Sequence, residues 1–148
     1  MHCYQEAAQY YQVPARVLRA IHQVEGGKRG ERVPDPNGTF DHGFMQINTC
    51  WKPVLHQMGW RMRYITNHDC ANIFVAAYIL RKNLLRTHNL WLAIADYHSS
   101  DPVYGYPYLQ KVYAHLHAGK KIHFRTTPKT VGSTSDTLYT PQTVEFLP

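Results

Sequence analysis

Apolar side chains recur along the chain with the spacing of amphipathic helices. The clearest case is a stretch in which apolar residues follow one another at four, three and four positions, namely Ile73, Ala77, Leu80 and Leu84. Basic residues fall on the opposite side of the same stretch, as expected when one helical face is buried and the other is solvated. The pattern predicts a long helix capped at its start by Asn67 or Asp69.

The same periodicity predicts five further helices. They span residues 6–11, 14–25, 52–58, 90–97 and 107–116, and a loop is expected over residues 99–105. Pro14 and Pro107 are placed at helix starts because proline fits the first turn, where its missing N–H is not needed. The chain is therefore expected to be mainly α-helical.

Residues 26–48 interrupt this pattern with glycines, prolines and charges that show no periodicity. The segment Pro-Asp-Pro-Asn-Gly at 34–38 has strong turn chemistry, so a small irregular or hairpin insert is expected here. After Gly119 the chain is rich in Thr, Ser and Pro and has few core-forming residues. We expect one helical domain over residues 1–118 and a flexible tail over residues 119–148.

The chain has 148 residues, a formal net charge of +6 and a pI of about 9.3. Such basicity suits a polyanionic partner, whether nucleic acid, a membrane surface or a wall polymer. A nucleic-acid partner is not expected, because no recognition motif is present and the basic residues do not concentrate on one predicted helix. No apolar run reaches membrane-spanning length, and the N-terminus lacks the pattern of a signal peptide. We expect either a cytosolic protein or an exported one whose signal peptide is absent from this chain.

Cysteine and histidine positions give little sign of a metal site. The three cysteines, Cys3, Cys50 and Cys70, lack metal-ligand spacing, and the ten histidines are scattered. Either one disulfide with one free thiol or three thiols is compatible with this number. No metal and no other cofactor is expected.

Glu25 is the candidate catalytic residue. It lies four and seven positions after Ile21 and Leu18, so all three project from one apolar helical face that ends at Gly26. Burial and the negative end of the helix would both raise the pKa of the carboxyl group, which could then serve as a general acid near neutral pH. The alternative is an ordinary solvated glutamate in the last turn of a helix.

Four segments in order resemble the lytic transglycosylase family, the helical lysozyme-like domains that cleave peptidoglycan. They are LRAIHQVEGG, NGTFDHGFMQIN, AIADYHSS and PYLQKV, and DCANIFVAAYIL also resembles a helix of members attached to secretion, conjugation and pilus machines. The resemblance covers residues 3–116 and implies a lysozyme-like, goose-type or lytic transglycosylase fold. It implies that Glu25 acts as acid and then as base, cleaving between N-acetylmuramic acid and N-acetylglucosamine with formation of a 1,6-anhydro product. A second carboxylate is not needed in this scheme, because the substrate's own N-acetyl group can stabilise the reacting carbon.

The resemblance also implies the residues that bind the substrate. They are Gly43, Met45, Gln46, Asn48, Tyr97, His98 and Tyr108, with Trp51 as a further wall of the cleft. Gly43 would allow close approach to the saccharide, whereas Met45 could instead be a core residue. The family usually has serine where this chain has Gly26, so the hydroxyl that would orient the acid or the substrate is absent. The family usually has asparagine where this chain has His98, which is larger and could contact the substrate or only fill the space.

Asp41 has two interpretations. A few lysozyme-like relatives place an assisting carboxylate in this region, and if Asp41 positioned a water the reaction would shift towards hydrolysis. The other interpretation is that Asp41 caps or braces the turn. The alternatives to a transglycosylase are thus a lysozyme-type hydrolase on the same fold and a weakly active wall-binding assembly factor.

The cysteines acquire roles through the same resemblance. Cys3 and Cys70 match a disulfide pair of secretion-associated members, which leaves Cys50 free. The expected location is then the periplasm, and the expected partners are peptidoglycan strands and components of a secretion, conjugation or pilus machine.

Overall fold

A computed structural model describes residues 2–118, which form seven α-helices and a small three-stranded sheet. The helices are α1 Cys3–Tyr11, α2 Ala15–Glu25, α3 Lys52–Gln57, α4 Met62–Asn67, α5 Asp69–Thr87, α6 Leu90–His98 and α7 Pro102–Leu116. The strands are β1 Arg32–Pro34, β2 Phe40–His42 and β3 Ile47–Asn48, and a 3-10 turn at Thr49–Trp51 leads into α3. The prediction of a mainly α fold is confirmed. The predicted tail lies outside the described residues.

Helix α5 is the centre of the domain. Ile73, Ala77 and Leu80 are fully buried along it, as their spacing predicts, and α1, α4 and α6 all pack against it. Helices α6 and α7 pack on each other, and α7 also packs on α2. The end of α2 therefore lies beside the start of α7, and this brings Glu25 close to the last helix.

The insert between α2 and α3 is the small antiparallel sheet, in the order β1-β2-β3. Strands β1 and β2 form a hairpin around the predicted turn, with Val33 opposite Asp41, and β3 places Asn48 opposite Asp41. The hairpin interpretation of residues 26–48 was therefore correct, although the sequence pattern did not indicate the third strand.

The start of the last helix was predicted wrongly. Helix α7 begins at Pro102, where the side chain of Asp101 caps it by accepting a hydrogen bond from the Val103 N–H at 2.9 Å. Gly105 does not mark a loop. A Cβ at Gly105 would come within 2.5 Å of the Ser99 carbonyl oxygen, so this glycine lets α7 pass close to the end of α6. Pro107 lies inside the helix on an exposed face.

The first and fourth helices also differ from the prediction. Helix α1 begins at Cys3 rather than at Glu6, and α4 had not been predicted. Helix α4 is a single short segment whose buried residues are only Ile65 and Thr66, too few to produce a recognisable period. In residues 2–118 no helix is both long and apolar enough to cross a membrane.

Cys3 and Cys70 form a disulfide, the pairing that the family resemblance implies. Their Cα atoms are 5.3 Å apart, and the bond joins the first residue of α1 to the start of α5 across 67 positions of sequence. Cys50 is a free thiol on the surface. The bond closes a loop that contains α2 and the whole sheet, so it restricts the unfolded chain strongly.

Removing this disulfide should destabilise the domain by about 4 kcal/mol, since the loss of loop-closure entropy grows with the length of the closed loop. The double variant Cys3→Ser/Cys70→Ser is compared with the wild type by chemical denaturation. Cys50→Ser is the matched control and should leave the free energy of unfolding within about 0.5 kcal/mol of the wild type. Equal stability of the double variant and the control would contradict this expectation.

Candidate active site

Glu25 is the last residue of α2 and is partly buried. The α2 face that it shares with Leu18 and Ile21 is part of the core, and both of those side chains are fully buried. Gly26 ends the helix in the left-handed conformation, with a φ of 62°, and its N–H donates to the His22 carbonyl. The chain therefore turns sharply just after Glu25 and leaves the carboxyl group at the edge of the core.

The environment of Glu25 raises the pKa of its carboxyl group towards neutral pH. Burial raises the pKa of Glu25 from 4.5 to about 7, and the nearby charge of Asp41 acts in the same direction. The Tyr108 hydroxyl opposes this rise, because it donates a 2.6 Å hydrogen bond to Glu25 Oε1 and so favours the ionised form. At pH 7 both protonation states are populated, as a group that gives up a proton and takes one back requires.

Two cavities meet at Glu25. The larger, about 600 Å³, runs between the sheet and the α5–α6 side of the domain. The smaller, about 310 Å³, lies against α7 and includes Tyr108. Glu25 and His98 line both of them. Both cavities therefore reach the carboxyl group and leave room beside it for a ligand.

Asn48 links several acidic and polar groups along the larger cavity. Its Nδ2 donates to Asp35 Oδ2 at 2.8 Å, to Asp41 Oδ1 at 2.9 Å and to Thr39 Oγ1 at 2.9 Å. Asp41 thus braces the sheet and also faces the cavity. Burial raises the pKa of Asp41, the Asn48 bond lowers it, and the charge of Asp35 raises it again. Asp35 had not been singled out from the sequence.

Residues 43–46 form a tight turn between β2 and β3. Gly43 and Gln46 both have positive φ angles, of 69° and 51°, and the Gln46 side-chain amide donates to the Gly43 carbonyl at 2.8 Å. The side chain of Gln46 lines the larger cavity. A non-glycine residue in the left-handed region is uncommon, and this one is held by its own side chain.

Two expectations for this turn were wrong. The Met45 side chain is fully buried in the core and does not line the cavity, so the alternative interpretation of Met45 as a core residue was right. Gly43 is also buried and is absent from the cavity lining. A Cβ at Gly43 would come within 2.6 Å of Asn72 Nδ2, so its glycine serves close packing against α5 instead of approach to a ligand.

Asn72 is the buried polar residue that holds this turn. Its Oδ1 accepts from the Met45 N–H at 2.6 Å, and its Nδ2 donates to the carbonyls of His42 at 3.0 Å and Ile65 at 3.3 Å. Sequence reasoning missed this role, although the Cys-x-Asn-Ile stretch had been noted as part of the resemblance. An asparagine within the apolar stripe of α5 was the available signal, because a fully buried amide needs several hydrogen-bond partners.

Tyr97, Tyr108 and His98 lie close together near the carboxyl group of Glu25. Tyr97 donates its hydroxyl proton to the Met45 carbonyl at 2.9 Å, so it supports the turn from α6. Burial raises the pKa of both Tyr97 and Tyr108, which keeps both hydroxyls neutral. The His98 ring stacks on the Tyr108 ring, with centroids 4.9 Å apart and planes 8° apart, while His98 itself is exposed to the cavities.

Gly27 allows α2 to approach the turn. A Cβ at Gly27 would overlap the Gly43 carbonyl oxygen and would lie 2.6 Å from Gln46 Nε2. A Cβ at Gly26 would meet nothing within 4 Å. At Gly26, where the family has serine, a side chain is disfavoured by the left-handed backbone conformation and not by lack of space. At Gly27 a side chain is excluded by lack of space.

The remaining predicted wall residue, Trp51, also lines the larger cavity, next to Cys50. Within residues 2–118 no group of three or more His, Cys, Asp or Glu side chains is arranged to hold a metal ion.

Comparison with known proteins identifies the family of this domain. Residues 2–101 match the model of the transglycosylase SLT domain. Over 98 residues the chain is 30% identical to protein IpgF of Shigella flexneri, an alignment that covers 66% of this chain and 64% of IpgF. It is 28% identical over 105 residues to a peptidoglycan-binding-like protein of Escherichia coli O157:H7, with 66% and 63% covered, and 28% identical over 98 residues to invasion protein IagB of Salmonella typhimurium, with 66% and 61% covered. The chain thus spans somewhat less than two thirds of the length of these curated relatives.

Alanine at position 27 should disturb the site far more than alanine at position 26. We expect Gly27→Ala to lower the free energy of unfolding by about 3 kcal/mol, because the new Cβ must displace the backbone of the 43–46 turn. Gly26→Ala should cost only about 1 kcal/mol, the penalty of a left-handed residue with a side chain. Chemical denaturation of both variants measures the difference, and equal losses would show that the contact at Gly27 is not limiting.

Replacing Glu25 should stabilise the domain at high pH. Below pH 4.5 the carboxyl group is protonated whether the chain is folded or unfolded, so burying it carries no ionisation penalty. As pH rises from 4.5 through 7, the unfolded state ionises first and stability is lost, by roughly 3 kcal/mol at most. We therefore expect Glu25→Gln to be more stable than the wild type at pH 8 and to approach it at pH 4.5, as measured by denaturation at several pH values.

The exposed Glu6 provides the control for this pH dependence. Glu6→Gln removes the same charge from a solvated position, so its stability should follow the wild-type pH dependence. Identical pH profiles for the wild type and Glu25→Gln would mean that the pKa of Glu25 is not raised in the folded protein.

Proposed function

Because the chain belongs to the transglycosylase SLT family, we propose that it is a peptidoglycan lytic transglycosylase that cleaves the β-1,4 bond between N-acetylmuramic acid and N-acetylglucosamine. The observation that carries the proposal is the position of Glu25, between two cavities and with a pKa of about 7. A polymer can lie across such a carboxyl group with units on both sides of the bond that breaks.

In the first step Glu25 acts as the acid. Its proton passes to the glycosidic oxygen, the bond from that oxygen to the anomeric carbon of the muramoyl residue breaks, and N-acetylglucosamine leaves with a new hydroxyl group. The substrate's N-acetyl group stabilises the electron-poor anomeric carbon. The Tyr108 hydroxyl supports the carboxylate that this step creates, since a 2.6 Å bond to an ionised oxygen is strong.

In the second step Glu25 acts as the base. It removes the proton of the muramoyl 6-hydroxyl while that oxygen bonds to the anomeric carbon, which closes the 1,6-anhydro ring. Glu25 is then protonated again and ready for another cycle. Water is neither consumed nor released, and one carboxyl group is sufficient for both proton transfers.

Polar side chains along the larger cavity are suited to hold the strand. Gln46 and Asn48 present amides at the sheet side, and His98 lies next to the acid where the two cavities meet. Amide and imidazole groups form hydrogen bonds to sugar hydroxyls and to N-acetyl groups without adding fixed charge. We propose that these three residues position the strand, with Tyr97 and Tyr108 acting through the turn and through Glu25.

Asp41 favours one alternative, a lysozyme-type hydrolase on the same fold. It is a second carboxylate that faces the larger cavity, and its charge raises the pKa of Glu25. A water held by Asp41 could add to the anomeric carbon in place of the 6-hydroxyl. The hydrogen bond from Asn48 favours the transglycosylase, because it already engages one oxygen of this carboxylate within the sheet.

We further propose that the enzyme is periplasmic and opens the wall locally for an envelope-spanning secretion, conjugation or pilus system. The name of the relative IagB, an invasion protein, supports this setting, as does the disulfide, because such bonds persist in oxidising compartments. A weakly active wall-binding assembly factor is the other alternative, and Gly26 and His98 are the positions that motivate it.

Product analysis of digested wall sacculi tests the proposal. The wild type should release muropeptides with 1,6-anhydro ends, identified by mass spectrometry, and Glu25→Gln should lower the rate at least a hundredfold, since it removes both the acid and the base. Reducing ends in place of anhydro ends would establish the hydrolase instead. Undiminished wall clearing by Glu25→Gln would remove Glu25 from the mechanism.

A further inference from the structure

A basic and aromatic surface lies at the corner between α3 and α4, apart from the residues that line the two cavities at Glu25. It consists of Trp60, Arg61, Arg63, Tyr64 and His68, and we call it the Trp60–His68 surface. Two indentations of about 400 and 420 Å³ adjoin there and share Arg61 and Tyr64 in their walls. The surface thus contains two neighbouring shallow indentations.

One of the two indentations is an aromatic slot. The Trp60 and Tyr64 rings lie with centroids 6.3 Å apart, and Met58 completes the wall. Tyr64 is 49% exposed and Met58 42% exposed, although both are large apolar side chains. His68 stacks on Tyr64 at 3.9 Å between ring centroids, which fixes the orientation of the tyrosine ring. A ring pair of this kind, with Tyr64 exposed and Trp60 partly buried against the core, presents apolar area at little cost in side-chain entropy.

The other indentation is cationic. Arg61 and Arg63 line it together with Asn67, and neither arginine forms an ion pair with any residue in the described range 2–118. Other arginines nearby in the fold do have partners, for example Arg29, which forms a bidentate bond to Asp69. No acidic side chain lines either indentation. The two guanidinium groups are therefore available to an anionic ligand.

The cavity at Glu25 has the opposite charge. Four carboxyl groups line it, those of Glu25, Asp35, Asp41 and Asp96, and its one arginine, Arg86, is already bonded to Asp96. An acidic cavity suits proton transfer to a sugar but repels a polymer that itself carries carboxylates. Attraction for such a polymer must come from another part of the surface.

We propose that the Trp60–His68 surface is a second binding site for peptidoglycan, which takes a peptide stem and an adjoining sugar of a strand outside the catalytic cavity. This inference rests on the proposed function, because it assumes the same polymer as substrate. The stems carry free carboxylates, which the planar guanidinium groups of Arg61 and Arg63 can bind in bidentate fashion. The apolar face of a sugar ring fits against the exposed ring of Tyr64 and the accessible part of Trp60.

The polymeric nature of the ligand makes a second site effective. Once one unit of the wall is held at Arg61 and Arg63, other units of the same wall are presented to the cavity at a high effective concentration. The attraction that the acidic cavity lacks is thereby supplied without placing a positive charge next to Glu25, where it would lower the pKa of the acid.

Binding to purified sacculi tests the second site. All variants carry Glu25→Gln in the full chain, so that the wall is not digested, and the bound fraction is measured by co-sedimentation. Arg61→Gln/Arg63→Gln should raise the apparent Kd roughly tenfold, since each lost bond to a carboxylate contributes substantially to affinity. Arg16→Gln/Lys52→Gln removes the same charge from exposed positions elsewhere and should bind as before.

Chitin, a neutral polymer of N-acetylglucosamine with neither stems nor lactyl groups, separates the contributions of carboxylate and sugar. On chitin the two double variants should bind equally, whereas Tyr64→Ala should still bind less. Thermal unfolding of each variant identifies any loss that is due to misfolding. Equal binding of both double variants to intact sacculi would overturn the proposal, and so would the same loss on sacculi and on chitin. Cleavage of sacculi by the protein with Glu25 intact tests the proposed function separately, so the two proposals can fail independently.

Discussion

The buried amide of Asn72 is the interaction on which the sheet and the candidate active site depend. The amide bonds to the Met45 N–H and to the carbonyls of His42 and Ile65. One side chain of α5 therefore holds the sheet, its turn and α4 in place. A buried polar group left without a partner costs more than the bond gains, so these contacts are made together or lost together. Tyr97 then adds α6 to the same turn through the Met45 carbonyl.

The position of Glu25 follows from the way in which Asn72 and Tyr97 hold this turn. Gly27 passes so close to the Gly43 carbonyl that no side chain fits between them, and the end of α2 is thereby set against the sheet. Glu25 is left where burial is substantial but incomplete, within reach of Tyr108 from α7. Burial alone would hold the carboxyl group protonated, and the tyrosine bond restores part of its acidity. The pKa of about 7 is a balance between burial and the charge of Asp41, which raise it, and the hydroxyl of Tyr108 on α7, which lowers it.

Local patterns predicted the parts of this arrangement that local physics determines. The spacing of Ile73, Ala77 and Leu80 was sufficient to identify α5, and an apolar stripe ending at a glycine was sufficient to place Glu25 at a helix end. Contacts between distant segments were beyond such patterns. Gly105 could not be distinguished from a loop glycine without knowing that α6 passes beside it, and whether Met45 faced the core or the cavity depended on Asn72, 27 positions away. The family resemblance supplied the order of the site residues but not which way each one faced.

The free thiol of Cys50 has a practical consequence. The chain has three cysteines, and because Cys3 and Cys70 are joined to each other, Cys50 carries its one free thiol, which lies in the wall of the larger cavity. Burial raises the pKa of this thiol above its usual value, so its alkylation requires clearly alkaline conditions. A fluorophore or spin label attached there would lie beside Asn48 and Trp51 and would report on occupancy of the larger cavity. Such labelling uses the wild-type sequence and needs no engineered cysteine.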